Sequence, residues 1–279
     1  MRFFHVTDPG QVEVRDRLRS ACEVREIPCL ECIPGRAVPA QPRAGDAMYR
    51  STGSAIGVRM ELDLYVDGMA TFYADRERLL TDARNPWFSL RDAGVPVVRA
   101  ISTVPLEASQ MQEAVDDLGG FPIVIKVFGG HTGIGVMRVE TPTALQALLI
   151  LLARKNKWPL LMEFFPLVAA HRLTVIGDEV HGPYSKRPSP DDFRTNARES
   201  IDEGPFEPRQ EILDLSLQTA RAVRMEFGGV DILEDKEGRL VVTEINNPCY
   251  FVRQEDITGV DISGLMMDHL SQKARRLSA

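Results

Sequence analysis

Hydrophobic residues in the first fifty positions alternate between strand-like and helix-like spacing. Short apolar runs at 3–7 and 29–33 predict two strands, and the segment between them, from Asp8-Pro9 to about Glu26, has a helical pattern. A strand, a helix and a second strand in this order are typical of a βαβ unit with parallel strands. The pattern therefore predicts a small α/β sheet here, which short strands near 47–49 and 71–73 would extend.

The rest of the chain mixes helices with strand pairs, which indicates an α+β arrangement. Helices are predicted over residues 75–93, 107–118, 141–157, 211–227 and 262–275, and strands over 95–98, 123–125, 136–139 and 159–165. Two further strand pairs are predicted as hairpins, one about Gly177-Asp178 and one about the polar turn 234–238.

One stretch combines a lysine with a glycine-rich turn. Within Phe121–Val136, Lys126 ends a buried strand, and glycines follow at 129, 130, 133 and 135. Glycines allow backbone N–H groups to approach an anion closely and to adopt positive φ angles. Neither the P-loop pattern nor the G-x-G-x-x-G fingerprint fits. A phosphate-binding flap between two strands and an ordinary glycine-rich hairpin both remain compatible with this stretch.

The last hairpin is predicted to carry three oxygen-bearing side chains on one face. If its strands pair symmetrically about the turn, Asp231 lies opposite Val242, and Asp231, Glu244 and Asn246 share a face. Inward carboxylates are costly unless they are paired or bind a cation, so the pattern points to a hard ion such as Mg²⁺. The alternative is a solvated face that carries acids.

Two more stretches are candidates for ligand contacts. The loop Ser185–Ser200 contains cations that would suit phosphate or carboxylate, although a solvated charge cluster also fits. Its cations are Lys186, Arg187, Arg194 and Arg198, and its acids are Asp191, Asp192 and Glu199. In Leu160–Pro166, Glu163 interrupts an apolar strand. It is either an edge residue or part of a hinge that offers backbone groups and apolar walls to a nucleotide base.

Composition excludes several classes of protein. The chain has 279 residues, of which 44% are hydrophobic and 26% charged, as is typical of a soluble globular protein. Its longest apolar run, Ala147–Ala153, is too short to cross a membrane. Asp8-Pro9 stands where a signal peptide would be apolar, so we expect a cytoplasmic protein. The net charge of −7 argues against a general nucleic-acid-binding surface.

The four cysteines predict no metal site. Cys29 and Cys32 form a CxxC pair, but neither a second pair nor a histidine pair follows at zinc-finger spacing, and Cys22 and Cys249 stand alone. We expect reduced, partly buried thiols.

Taken in order, these motifs resemble the ATP-grasp superfamily, and within it the branch of glutathione synthetase and the RimK-like amino-acid ligases. The resemblance extends from about Arg84 to the C-terminus. It implies an ATP-grasp fold that holds a nucleotide between two α+β subdomains and is preceded by the small βαβ domain. We expect the three units to be residues 1–83, 84–162 with the flap, and 163–279 with the metal site.

The resemblance also implies roles for individual residues. Lys126 and Arg194 would be catalytic, and Arg172 and Arg194 would contact the substrate. The implied ATP-binding residues are Lys126, Gly129, Gly130, His131, Gly133, Gly135, Glu163, Phe164, Phe165, Arg187 and Asn196. Asp231, Glu244 and Asn246 would bind Mg²⁺, with two ions expected and Mn²⁺ as an alternative.

The sequence departs from the family pattern at four places. Pro86 stands where a further lysine is expected, and Arg84 is a candidate replacement for that lysine. Ala170 stands where an acidic residue often meets the ribose, and His131 replaces the serine of the flap. Arg198-Glu199 replaces a pair of glycines.

The function implied is ATP-dependent ligation. A carboxylate would be activated as an acyl phosphate and joined to an amine, with amino acids or peptides as substrates, in the biosynthesis of a small metabolite. The expected partners are small-molecule carboxylates and amines, without nucleic acid or membrane, and a homodimer is compatible with the sequence. Two alternatives are an ATP-grasp kinase that phosphorylates a hydroxyl and a nucleotide-binding regulatory protein without turnover.

Overall fold

The structure, a computed structural model, describes residues 1–80, 86–102, 106–127, 134–189, 192–194 and 202–279. The helices are α1 (Val12–Val24), α2 (Ala55–Leu64), α3 (Arg76–Leu80), α4 (Pro86–Asp92), α5 (Ala108–Asp117), α6 (Pro142–Arg154), α7 (Gln210–Ala222), α8 (Val252–Thr258) and α9 (Ile262–Ser278). The strands are β1 (Phe3–Val6), β2 (Cys29–Cys32), β3 (Ala47–Arg50), β4 (Ala100–Ile101), β5 (Ile123–Lys126), β6 (Val136–Val139), β7 (Leu160–Glu163), β8 (Leu167–Ile176), β9 (Glu179–Lys186), β10 (Glu203–Pro205), β11 (Phe227–Asp235) and β12 (Leu240–Asn246).

The N-terminal sheet confirms the predicted βαβ unit. Its strand order is β2-β1-β3, and both pairings are parallel. The predicted strand at 71–73 is wrong, since Tyr73 forms only an isolated bridge with Met225. Helix α2 was not predicted, although its N-cap has a recognisable chemistry. The Ser54 side chain accepts a hydrogen bond from the Gly57 N–H.

The central sheet has the order β4-β7-β5-β6 and is antiparallel throughout. Helices α5 and α6 cover one face, where Ile123, Ile125 and Leu161 pack with Leu145 and Leu149. The Thr141 side chain accepts a hydrogen bond from the Ala144 N–H and so caps α6, and Pro142 occupies its first turn. On the opposite face, Val124, Lys126 and Met162 line a cleft shared with Leu233 and Thr243 of the C-terminal part.

The C-terminal sheet is antiparallel with the order β10-β9-β8-β11-β12. Helix α7 packs on one face through Ile212 and Leu215, which meet Val230 and Val242. Both predicted hairpins are present, β8-β9 and β11-β12. The predicted strand at 95–98 is reduced to one bridge between Val97 and Val242. The predicted helix at 75–93 is described as α3 and α4, on either side of residues 81–85.

The N-terminal sheet and the C-terminal part share one hydrophobic core. Phe3 and Leu18 pack in the same cluster as Phe227, Phe251 and Met266, all of them fully buried. The division into residues 1–83, 84–162 and 163–279 stays a prediction. In the part of the chain that the structure describes, no helix is long and apolar enough to span a membrane.

Candidate functional site

A cleft lies between the central sheet and the C-terminal sheet. Its walls come from both sheets and from the segment 192–194. The lining residues are Val98, Val124, Lys126, Val136, Met162, Glu163, Phe164, Phe165, Leu167, Phe193, Arg194, Leu233 and Thr243. The cleft thus combines a mostly apolar interior with Lys126 and Arg194, a composition typical of a site for a ligand with an apolar ring and an anionic end.

The β11-β12 hairpin brings Asp231, Glu244 and Asn246 together, as predicted, but in a different register. Asp231 lies directly opposite Glu244 and not opposite Val242, because a β-bulge shifts the pairing between Asp231 and Ile232. The extra residue is Thr243, which lines the cleft, while Val242 packs into the core on the other face. The bulge therefore turns Thr243 and Glu244 to the same side of the sheet.

Hydrogen bonds join the three side chains. The Asn246 Nδ2 atom donates to Asp231 Oδ2 at 3.0 Å and to Glu244 Oε1 at 3.2 Å. Two cations complete the cluster, since Lys126 Nζ lies 3.0 Å from Glu244 Oε2 and Arg172 Nε lies 2.7 Å from Asp231 Oδ1. Lys126 comes from the central sheet and Arg172 from the C-terminal sheet, so the cluster connects the two.

Burial and charge act in opposite directions on the two carboxylates. Burial raises the pKa of Asp231 to about 6, although Arg172 lowers it, and the nearby charge of Glu244 raises it further. Burial also raises the pKa of Glu244, but the charge and hydrogen bond of Lys126 outweigh this and leave that pKa below its ordinary value. Two carboxylates in such surroundings need positive charge to stay ionised together.

The donor set fits a hard divalent cation. Two carboxylates and an amide offer oxygen ligands of the kind that Mg²⁺ prefers. No three histidine, cysteine, aspartate or glutamate side chains cluster as a metal site among the described residues, so the amide of Asn246 completes the set. Cys29 is partly buried and Cys32 is buried, and neither forms a disulfide in the structure.

Gly229, two residues before Asp231, leaves room that a side chain would fill. A Cβ atom at Gly229 would lie 2.1 Å from Arg172 Nη1 and 2.6 Å from Cys249 Sγ. Arg172 therefore reaches Asp231 across a position without a side chain. This contact gives a physical reason for the sequence Gly-Gly-Val-Asp at the site.

Glu163 does not point its carboxylate into the cleft. Its Oε1 accepts from the Arg99 N–H at 3.1 Å and its Oε2 from Arg99 Nε at 2.8 Å, and its side chain is buried. The Phe165 N–H has no hydrogen-bond acceptor among the described residues, and the Phe165 carbonyl accepts from Leu167. The Phe165 N–H is thus available to a ligand in the cleft, while the Glu163 side chain binds Arg99.

Aromatic and cationic side chains close one end of the cleft. The ring of Phe164 lies 6.2 Å from that of Phe193, and the Arg138 guanidinium lies 4.4 Å from the Phe164 centroid. Arg194 also lines the cleft. Its guanidinium contacts Asp192, with Nη2 2.7 Å from Oδ2, and this contact holds the pKa of Asp192 below its ordinary value. A ligand anion would compete with Asp192 for Arg194.

Lys186, and not Arg187, lies half-buried beside the carboxylates. It lines a small pocket with Arg172, Tyr184 and Asp231, and burial lowers its pKa. Arg187 is largely exposed and contacts Asp202, with Nη1 3.4 Å from Oδ2. Strand β9 continues through Lys186, and its two-residue alternation would have pointed to this side chain.

Part of the predicted site lies outside the described residues, namely Arg84, Gly129, Gly130, His131, Gly133 and Asn196. At the base of the flap, Gly135 is described. It has a φ of +86°, and its carbonyl accepts from the Val127 N–H at 2.9 Å. This conformation favours glycine, so Gly135 closes the strand pair β5-β6 as a turn residue.

Known proteins share this sequence pattern and this fold. A probable alpha-L-glutamate ligase of Citrobacter koseri is 29% identical over 274 residues, which cover 94% of this chain and 87% of the relative. A ribosomal protein bS6–L-glutamate ligase of Escherichia fergusonii is 30% identical over 179 residues, 63% of this chain and 58% of the relative. The ATP-grasp ligase PsnB, complexed with a minimal precursor, Mg and ADP, has a TM-score of 0.73 at 19% identity and covers 98% of this chain and 97% of its own.

The sequence profile of the RimK-like ATP-grasp domain matches residues 90–270, which is well over half of the chain. This span includes Lys126, the hinge and the whole β11-β12 hairpin. The chain therefore belongs to the RimK-like ATP-grasp family, and it is an ATP-dependent carboxylate–amine ligase.

Proposed function

We propose that the cleft between the two sheets binds ATP and that Asp231, Glu244 and Asn246 bind Mg²⁺ at its phosphate end. The observation that carries this proposal is the 3.0 Å contact between Lys126 and Glu244, which joins the lysine before the flap to the carboxylates of the hairpin. Lys126 would bind phosphate oxygens. Two ions, with Glu244 as the shared ligand, are the expected number, and Mn²⁺ could replace Mg²⁺.

The residues supply positioning and charge, which is most of what phosphoryl transfer requires. A carboxylate is a poor electrophile, whereas an acyl phosphate has a good leaving group. The bound Mg²⁺ would neutralise phosphate charge. Backbone groups of the hinge would hold the base, Lys126 and Arg194 would orient the γ-phosphoryl group and the carboxylate, and Arg172 would keep Asp231 in place. No side chain needs to act as a nucleophile.

For the substrates, the similarity to ligases named for L-glutamate favours an amino acid as the amine. The named partner of one relative is a ribosomal protein, and PsnB has been solved in complex with a precursor peptide. We therefore propose that the activated carboxylate belongs to a peptide or protein, in place of the small-molecule carboxylate expected from the sequence. Arg172, Lys186 and Tyr184 lie where they could contact the carboxylate.

The test is a screen of peptide carboxylates with L-glutamate and other amino acids, read by ADP release and by mass spectrometry of the product. We expect ADP, phosphate and a condensation product whose mass equals that of the two substrates minus one water. Glu244→Gln should abolish release while the fold is retained, because the substitution removes a charge at the same shape. ADP with a phosphorylated hydroxyl product, or turnover that continues when divalent cations are chelated, would contradict the proposal.

A further inference from the structure

Helix α6 carries apolar residues on the side away from the central sheet as well as on the side that packs against it. Leu145 and Leu149 are buried against the central sheet. Positions 147, 150, 151 and 154 follow the i, i+3, i+4, i+7 spacing of the opposite face, and all four are exposed. Ile150 and Leu151 therefore lie in solvent. A helix that is hydrophobic all round is usually buried all round.

Trp158 lies beyond the end of α6, on the side of Leu149 and Ala153. Its side chain is 68% exposed, and it lines a shallow groove with Leu106, Leu149, Ala153 and Lys157. The other tryptophan, Trp87, is buried and donates a hydrogen bond to the Val98 carbonyl. Several large apolar side chains exposed together on one region mark an interaction surface more often than scattered ones do.

Three cations border the same surface. Arg154, Lys155 and Lys157 are exposed, and none has an ion-pair partner among the described residues. A cation in the last turn of a helix is stabilised by the helix dipole, which accounts for Arg154. The dipole does not account for the exposed tryptophan beside them. In a chain with a net charge of −7, an unpaired basic cluster is a local exception.

We propose that this surface, the groove of Leu106, Ala153 and Trp158 with the cations Arg154, Lys155 and Lys157, docks an acidic peptide segment that carries apolar anchor residues. The apolar groove would take the anchors, and the three cations would attract the acids. A second copy of the chain is a poorer occupant, because a two-fold interface places the patch on itself and the cations against their own copies.

The surface lies at the end of α6, which covers the face of the central sheet away from the cleft. The proposal does not depend on the ligase reaction, because docking can be measured without turnover.

The probe is a short fluorescein-labelled peptide of glutamate residues with one leucine and one phenylalanine, and its counterpart replaces each glutamate with lysine. Fluorescence anisotropy measures binding, and tryptophan emission reports Trp158. We expect the acidic peptide to bind at least about tenfold tighter than the basic one and to shift the emission to shorter wavelength. The affinity should fall as salt is raised, because exposed charges are screened.

Variants locate the binding. Trp158→Ala, and separately Lys155→Glu with Lys157→Glu, should each weaken binding of the acidic peptide at least about tenfold. The matched controls Leu277→Ala and Lys236→Glu change an exposed apolar side chain and an exposed cation elsewhere and should leave binding unchanged. Equal binding of the two peptides, or binding unaffected by Trp158→Ala, would overturn the proposal. Self-association lost in Trp158→Ala, or binding to phosphatidylserine vesicles without peptide binding, would also overturn it.

Discussion

Lys126 and Arg172 reach the paired carboxylates of the hairpin from two different sheets. Each carboxylate has one cation within hydrogen-bond distance, 3.0 Å for Glu244 and 2.7 Å for Asp231. In a partly buried setting, removing one partner leaves a charge without compensation, which costs more than the pair itself contributes. This cost applies to Arg172 and Asp231, whose side chains are the less exposed pair, more than to Lys126 and Glu244.

Lys126→Ala should weaken ATP binding by about 2–3 kcal/mol, the range for a hydrogen bond to a charged group, and abolish ADP release. Stability should change little, because the side chain ends a strand and is partly exposed. Isothermal calorimetry with ATP and magnesium measures the affinity, and Lys236→Ala in an exposed turn is the control. Unchanged affinity would remove Lys126 from the phosphate site.

Gly229→Ala should displace Arg172 from Asp231, because the new methyl would overlap Arg172 Nη1. We expect a loss of about 1–3 kcal/mol of stability, together with a large loss of activity. Gly204→Ala is the matched control, since it also lies in a strand and a Cβ there meets nothing within 4 Å. Urea unfolding and ADP release measure the two effects. Equal behaviour of the two variants would show that the close approach to Arg172 does not matter.

At the scale of elements, the side chain and the backbone at the end of the hinge strand β7 have different contacts. The Glu163 carboxylate is occupied by Arg99, whereas the backbone beyond it is open to the cleft. Glu163 thus connects β7 to the segment before β4 and fixes the position of the backbone groups. Backbone groups would bind the base, and the Glu163 side chain would keep those groups in position.

Glu163→Gln separates these roles. The substitution removes the charge that pairs with Arg99 and should lower the free energy of unfolding by about 1–2 kcal/mol. ATP affinity should stay within about threefold of the original, because the proposed contacts are backbone groups. Thermal unfolding and calorimetry give the two numbers. A large loss of affinity with unchanged stability would mean that the carboxylate itself binds the nucleotide.

The sequence was sufficient to predict the elements around the site but not the way one strand enters it. The turn 234–238 and the alternation on either side predicted the hairpin and the shared face of Asp231, Glu244 and Asn246. The bulge at Thr243 was not predictable, because the sequence pattern allows the apolar Val242 on either face of the sheet. Its side chain faces the core because it packs there with Ile232. Arg187 was named through the resemblance, whereas the side chain that lies beside the carboxylates is Lys186, the last residue of β9.

At the scale of the whole molecule, periodicity identified apolar faces but could not say which faces meet. The N-terminal sheet was predicted as a separate unit, yet Phe3 and Leu18 pack in one core with Phe227 and Met266. Tyr49 also lies across this junction, where its hydroxyl accepts from the Cys249 N–H at 3.3 Å. A change of charge or packing in the N-terminal sheet should therefore alter the stability of the C-terminal part.

His5 provides a test of this coupling through pH. It is fully buried, its Nε2 lies 2.8 Å from Ser51 Oγ, and its Nδ1 has no partner among the described residues. Burial lowers the pKa of His5 to about 3, from an ordinary value of 6.5. Below pH 6.5, His5 is therefore protonated in the unfolded chain but stays neutral in the folded chain. Stability is complete above this pH and falls as the pH drops toward 3.

At pH 5.5 the loss from His5 should be about 1.4 kcal/mol relative to neutral pH. His5→Phe should remove this part of the pH dependence while the contribution of the carboxylates remains. Urea unfolding of both proteins at pH 7.5 and 5.5 measures the difference, since the groups they share cancel. Identical pH dependence in the two proteins would show that His5 takes up its proton without unfolding.

In the proposed reaction of the whole molecule, the carboxylate is activated by phosphoryl transfer in the cleft between the two sheets. The most direct measurement uses the carboxylate substrate found in the screen, labelled with ¹⁸O in its carboxyl group, and follows the label into inorganic phosphate by mass spectrometry. An acyl phosphate leaves one carboxylate oxygen on the phosphate when the amine displaces it. We predict one ¹⁸O in each phosphate released by the unaltered enzyme and no labelled phosphate from Glu244→Gln. Unlabelled phosphate accompanying product formation, or AMP in place of ADP, would contradict the account.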